Sequence, residues 1–406
     1  MAIGLPDQPT LEPVPGVRLA SVTAGIKKPD GRDPDLVLME LAAGTRVAAV
    51  LTRNRFCAAP VALVRSNMAS AASRYLLINS GNANAGTGAA GARAARECCD
   101  AVAAATDVPA AAVLPFSTGV IGEPLPVSRI TAAVPGAVQG LDPAGWLAAA
   151  RAIGTTDTVP KGATRRVALS GGTVTLTGIA KGAGMIRPDM ATMLAFMATD
   201  ADIPQELLDS LLTDAVNRSF NRITVDGDTS TNDACTLAAT GAGGVAVEPG
   251  SRDATVFAEA LLALCQELAC AIVRDGEGAT RFIAIQVSGA VDESEAEAVA
   301  FTIAHSPLVK TAFFAGDPNW GRILAAVGRA GVTDLDVERV TLWLDDLRIA
   351  ADGGRAPEYS EAEAAARMAQ SEVTVAVELD RGEAAATVWT CDFSYEYVRI
   401  NAEYRT

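Results

Sequence analysis

Lys181-Gly182-Ala183-Gly184-Met185-Ile186-Arg187-Pro188-Asp189-Met190-Ala191-Thr192-Met193-Leu194 is the stretch from which the rest of the chain is read. A Lys sits in a Gly-flanked turn, and a Pro-Asp pair then re-aims the backbone. An Ala-Thr bond follows, just ahead of the strand-like run Met193-Leu194-Ala195-Phe196-Met197. A Thr hydroxyl is a weak nucleophile until a base activates it. One way to supply that base is to free the residue's own amine by cutting the peptide bond before it. The chain has one histidine, His305, so a Ser-His or Cys-His apparatus has almost nothing to draw on. Gly/Pro turns also precede ordinary apolar strands, so at the local level both readings stand.

Working outward, 406 residues are too many for one small core and imply two or three domains. Hydrophobic residues at 50% against charged residues at 20% describe a folded chain, not a disordered one. The net charge of -15 argues against a nucleic-acid or anionic membrane surface, which would need clustered Lys and Arg. It is compatible with a substrate that carries an amine. The seven cysteines, Cys57, Cys98, Cys99, Cys235, Cys265, Cys270 and Cys391, show neither zinc-knuckle nor CxxC spacing, so reduced thiols in a cytoplasm are expected. Met1 to Pro15 lacks the basic and apolar regions of a signal peptide. No uninterrupted apolar stretch is long enough to span a bilayer.

Strand patterns appear at Arg46 to Thr52 and Arg74 to Asn79. The second runs into the Gly/Asn-rich Gly81-Asn82-Ala83-Asn84-Ala85-Gly86 and then an Ala-rich helix, Ala89 to Thr106. A short helix is expected at Trp146 to Ile153 and a hairpin around Ser170-Gly171-Gly172-Thr173. Beyond Thr192 the pattern predicts a helix opening at Pro204 and a long helix from Asp253 to Val273. An alternating strand, Thr280 to Val287, comes next, with a Glu-rich helix from Glu293 to Ile303. The tail reads as helix, strand, strand: Ser360 to Met368, Val373 to Leu379, Ala386 to Phe393. Glu293 to Glu297 reads as a solvated helix face. The pattern alone gives a layered α/β or α+β protein.

An attacking Thr192 needs a base, an oxyanion site and a substrate clamp. An α-amine freed at Thr192 has an ordinary pKa of about 7.7–8.0, suited to the base. Ser117-Thr118-Gly119 is a polar turn between apolar stretches; a Thr hydroxyl and a Gly N–H can point at one oxygen. Lys181 can neutralise charge or hold a carboxylate. Thr155-Thr156-Asp157-Thr158 is a polar cluster of the kind that commonly satisfies backbone groups after a helix. Glu277, in Asp275-Gly276-Glu277-Gly278-Ala279-Thr280, can offer a carboxylate to an amine. Asn401-Ala402-Glu403-Tyr404-Arg405-Thr406 has the look of a frayed tail. The Asp-rich Ser219 to Asp233 lacks EF-hand spacing and reads as a buried polar turn network, so no metal is expected.

These motifs together closely resemble the ornithine acetyltransferases, also called bifunctional glutamate N-acetyltransferases, the ArgJ family of arginine biosynthesis. The resemblance covers nearly the whole chain. It implies a layered αββα-sandwich-like α+β fold of the self-cleaving N-terminal-Thr type. It also implies a cut between Ala191 and Thr192, giving an α chain of residues 1–191 and a β chain of residues 192–406, two of each forming a heterotetramer. By the same resemblance Thr192 is the nucleophile, and Thr118 and Gly119 hold the oxyanion. Thr155, Lys181, Thr192, Glu277, Asn401 and Thr406 bind substrate. Thr406 stands where the family more often has Ser, so a hydroxyl is kept. The expected reaction moves acetyl from N2-acetyl-L-ornithine to L-glutamate, in the cytoplasm and with no cofactor. Whether acetyl-CoA is also a donor is left open. Asp317-Pro318-Asn319-Trp320-Gly321-Arg322 and Gly81 to Gly86 are family hallmarks without an assigned role. Two rivals remain: a self-cleaving aminopeptidase or amidohydrolase with a related fold, and an uncut, non-catalytic relative.

Overall fold

The computed structural model describes residues 2–28, 31–187 and 193–403. They form two compact units: a larger one of Pro6–Asn221 and Asp228–Ile272, and a smaller one of residues 2–5, 222–227 and 273–403.

The larger unit has two sheets. The first contains β1 (Val17–Val22) and β2 (Leu36–Leu41). The second begins with β3 (Arg46–Leu51), after which come α1 (Ala59–Ser70), β4 (Tyr75–Asn82), α2 (Gly88–Thr106), β5 (Val113–Val120), α3 (Val127–Gln139) and α4 (Trp146–Ile153). The chain continues through β6 (Lys161–Leu169), β7 (Gly172–Lys181), β8 (Leu194–Thr199), α5 (Gln205–Asn217), β9 (Ala234–Ala239) and α6 (Arg252–Arg274). The sheet orders are β1-β2-β4-β5 and β3-β9-β8-β7-β6. Both are antiparallel except at β4/β5 and β8/β9.

Side chains alternate across a strand, and here each alternate set has its own core. Leu76, Ile78, Leu114 and Phe116 meet Ile179, Leu194 and Phe196 of the second sheet. Tyr75, Leu77 and Val113 face the other way, onto Cys98, Val102, Ile130 and Val134 of α2 and α3. On the far side of the second sheet lies α6. A Cβ on Gly178 would meet Met197, Leu264 and Leu268 at 2.8–3.2 Å, so the missing side chain lets α6 approach β7. The result is an αββα sandwich. Trp146 and Ile153 of α4 join the core between the sheets. By length and composition α6 could cross a bilayer. Glu259, Gln266 and Glu267 break its apolar run in sequence, and Phe257, Leu261, Leu264 and Leu268 are buried within the fold.

The smaller unit contains β10 (Phe282–Ala290), α7 (Glu293–Ala304), α8 (Pro307–Ala315), α9 (Trp320–Gly328), β11 (Thr341–Leu344), β12 (Leu347–Ala351), β13 (Gly354–Arg355), α10 (Glu361–Met368), β14 (Glu372–Glu378), β15 (Ala384–Cys391) and α11 (Tyr395–Glu403). Its sheet runs β13-β12-β11-β14-β10-β15. Ile283, Ile285, Val375 and Val377 pack with Val299, Ile303, Phe313 and Met368 of the helices.

Three local expectations change. Ser117-Thr118-Gly119 lies within β5 and Lys181 ends β7, so neither is a turn. The start of the C-terminal segment is helical, in α11. Glu293 and Glu297 are not simply solvated: both pair with the buried Arg222, while Glu295 pairs with Arg381.

Candidate active site

The site in the larger unit is built on the ends of β5 and β7. In the parallel pair β4/β5, Ser80 stands opposite Thr118 and Gly81 opposite Gly119. Gly119 has φ +131°, and a Cβ there would lie 2.3 Å from the Gly81 carbonyl carbon and 2.5 Å from the Asn82 nitrogen. Only glycine fits this crossing. Buried amides hold the strand end in place. Ser117 Oγ donates to Asn79 Oδ1 (2.6 Å), Asn79 Nδ2 to the Asn82 carbonyl (2.8 Å), and Asn232 Nδ2 to the Ser117 carbonyl (2.9 Å) and the Ala83 carbonyl (2.6 Å). Asn232 gives the Asp-rich stretch a concrete role, as the brace for this strand end.

Lys181 is buried, 9% exposed, and its Nζ donates to Thr118 Oγ1 at 3.3 Å. This bond uses the Thr118 oxygen as acceptor, so the hydroxyl proton is directed elsewhere and becomes a stronger donor. Behind Lys181 sits Asp157. Its Oδ1 accepts from Lys161 Nζ (2.6 Å) and from the Gly182 N–H (2.8 Å), and its Oδ2 accepts the Thr155 N–H (2.9 Å). Burial would raise the Asp157 carboxyl, but Lys161, Lys181 and the Gly182 N–H outweigh it and hold the group below the ordinary carboxylate range. Thr155, Asp157 and Lys181 are thus one assembly. The local sequence pattern does not single out Lys161, and it offers Asp157 only as a backbone cap. The Asp-x-x-x-Lys spacing outside any helix was the available signal.

Lys181 stands opposite Leu194 in the β7/β8 register. β7 therefore ends and β8 begins at neighbouring positions of the sheet. Ala191, Thr192 and the Pro188-Asp189 pair lie outside the described residues, as does Thr406.

In the smaller unit Glu277 is buried, and its Oε2 accepts from Asn401 Nδ2 at 2.9 Å. Ser394 Oγ donates to the Gly278 carbonyl (2.6 Å) and so docks the start of α11 on the Glu277 loop. Asn319, in the Asp317 to Arg322 stretch, accepts the Arg322 N–H and caps α9.

The family model described as "ArgJ family" matches residues 18–406, and the chain belongs to this family. The arginine biosynthesis bifunctional protein ArgJ of Methylococcus capsulatus is 60% identical over 395 residues, covering 97% of this chain and 96% of the relative. That of Pseudomonas syringae pv. tomato is 53% identical over 408 residues, covering all of both chains. Among solved structures, ArgJ of Bacillus halodurans matches with TM-score 0.49 and 40% identity over 50% of this chain and 96% of its own. An ornithine acetyltransferase from Mycobacterium tuberculosis, complexed with ornithine, matches with TM-score 0.39 and 36% identity over 47% and 97%.

Proposed function

We propose that this protein is the acetyltransferase that moves the acetyl group of N2-acetyl-L-ornithine to L-glutamate in arginine biosynthesis, through an ester on Thr192. Family membership supports the reaction. The observation that carries the site is the Lys181–Thr118 hydrogen bond, at the end of the strand from which the Thr192 segment departs. Thr192 Oγ attacks the acetyl carbon, and its proton passes to the Thr192 amine. The carbonyl electron pair moves onto oxygen, held by the Thr118 hydroxyl and the Gly119 N–H. Collapse breaks the C–N bond, and ornithine leaves with the proton. The glutamate amine then attacks the ester, and the Thr192 oxygen recovers a proton as N-acetyl-L-glutamate departs. Thr155, Lys181, Glu277, Asn401 and Thr406 are assigned to substrate binding. The relatives' name "bifunctional" supports acetyl-CoA as a second donor. No cofactor or metal enters the scheme, and a cytoplasmic location is assigned with it.

The sheet explains how cut fragments would stay together. After a cut before Thr192, β8 and β9 belong to residues 192–406. They lie between β3 and β7 of residues 1–191, hydrogen-bonded to both. Residues 1–191 and 192–406 would stay associated through this sheet, and a heterotetramer of two of each is assigned as their assembly.

Intact-mass measurement of the purified protein should show two fragments meeting at Ala191/Thr192; active protein that stays uncut refutes the scheme. Assays pairing glutamate with acetylornithine and with acetyl-CoA should both yield N-acetylglutamate. Free acetate formed at the same rate without glutamate would instead make it a hydrolase. Thr118→Ala should lower kcat on the order of a hundredfold while leaving KM nearly unchanged, because an oxyanion donor acts in the transition state. A change confined to KM would contradict that role.

A further inference from the structure

Lys310 of α8 is 2% exposed, an unusual place for an amine. Its Nζ donates to Thr390 Oγ1 at 2.8 Å and to the Cys391 carbonyl, at the end of β15. It also lies 4.6 Å from the centroid of the Phe393 ring, whose face attracts a cation. Burial lowers the pKa of the amine, and Cys391, Asp392 and Asp226 act against that. An apolar side chain of similar length would fill the space without the cost of burying a charge. What the amine adds is a hold on the turn between β15 and α11.

That turn steers α11. Phe393 stacks on Tyr397 of α11, with ring centroids 4.7 Å apart. The Tyr397 carbonyl accepts from Asn401 Nδ2 at 3.0 Å, and the same Nδ2 donates to Glu277 Oε2 at 2.9 Å. Asp392, in the turn itself, accepts the Thr280 N–H (2.8 Å) and the Arg281 N–H (2.9 Å), just beyond Glu277. Gly278 has φ +70°, and a Cβ there would lie 2.5 Å from the Tyr397 nitrogen, so the Glu277 loop and α11 meet backbone to backbone. No residue of α11 is buried, so its seat depends on contacts of this kind and not on a core of its own.

We propose that Lys310 is a positioning residue for donor selection: through Phe393, Tyr397 and Asn401 it sets the aim of the Glu277 carboxylate. Asn401 occupies Oε2 and leaves Oε1 to a ligand's ammonium. The inference rests on the assignment of Glu277 to substrate binding. In N2-acetyl-L-ornithine the α-nitrogen is an amide, so the side-chain amine is the group that carries positive charge. Lys310 thereby acts on which donor is held, not on the making and breaking of bonds.

The test compares two donors, N2-acetyl-L-ornithine and N2-acetyl-L-norvaline, which is the same molecule without the side-chain amine. The wild type should favour acetylornithine on the order of tenfold or more in KM, the range of a hydrogen bond to a charged group. Lys310→Met keeps the length of the stem and removes the amine. It should lose most of that preference by raising KM for acetylornithine alone, with kcat changed less than about threefold. In an Asn401→Ala background Lys310→Met should add less than about twofold, because both changes cut one path. If Lys310→Met does not fold, Phe393→Leu cuts the same path outside the core and is expected to give the same result. Equal weakening of both donors, or a full further loss in the Asn401→Ala background, would reduce Lys310 to a structural brace and overturn the inference. Glu277→Gln separates the two levels. Preference lost in Glu277→Gln but kept in Lys310→Met and Phe393→Leu overturns the inference alone. Preference kept in Glu277→Gln overturns the Glu277 assignment, and the inference with it.

Discussion

Thr192→Ala is expected to give a single uncut 406-residue chain with no measurable acetyl transfer. One hydroxyl serves two reactions in turn, the cut that frees the amine and the attack that forms the acetyl ester. Losing it removes both, and removing a nucleophile lowers turnover by several orders of magnitude. The fold should survive, because β7 and β8 are joined by a ladder that starts at Lys181 and Leu194 and does not involve the hydroxyl. Thr192→Ser keeps a hydroxyl and should retain part of both reactions. Intact mass, a melting curve and the acetylornithine–glutamate assay on the same preparations check this. A Thr192→Ala protein that still cuts and transfers would place the nucleophile elsewhere.

Asp157→Asn should be the most damaging substitution for stability near the site. The Lys161 side chain has no exposed surface, and its ammonium lies 2.6 Å from Asp157, whose side chain is 6% exposed. Removing the carboxylate takes a 2.6 Å ion-pair partner from a fully buried ammonium, and breaking a buried pair of this kind typically costs about 3–5 kcal/mol. Asn still accepts one of the backbone N–H bonds, so the loss reads out charge more than geometry. Asp157→Asn with Lys161→Met removes both charges and should recover most of the loss. The pH dependence follows from the depressed Asp157 carboxyl. Its contribution is complete above the unfolded value of about 3.9 and is lost as pH falls toward the lower folded value. Below pH about 4 the wild type should therefore lose stability more steeply than Asp157→Asn. Denaturant unfolding across that range measures it; a single-variant loss under about 1 kcal/mol would show that the pair is dispensable.

Much of the secondary structure was legible because it depends on local pattern. Trp146–Ile153 is a short apolar helix bounded by Gly145 and Gly154, and the structure keeps those limits. Gly172, at φ +142°, turns the β6/β7 hairpin where the Gly pair predicted it. The misreadings share one cause. Ser117-Thr118-Gly119 and Lys181 are polar or glycine residues, which in isolation suggest turns. They sit at strand ends because Asn79, Asn232 and Asp157 answer their polar groups. Those pairings run across 38, 115 and 25 residues, and none of them is identifiable by local spacing.

By itself the sequence determined the layered mixture of strands and helices, the single histidine that leaves a Ser-His or Cys-His apparatus almost nothing to draw on, and Ala191-Thr192 as the bond to watch. Local periodicity and turn chemistry carry that information. Only the tertiary structure decided which polar groups meet: Lys181 with Thr118 across 63 residues, Gly182 with Asp157 across 25, and Asn401 with Glu277 across 124. Such pairs form when sheet order and helix docking close around them. Burial then makes an unpaired charge or amide costly, which ties each group to one partner that local sequence cannot reveal.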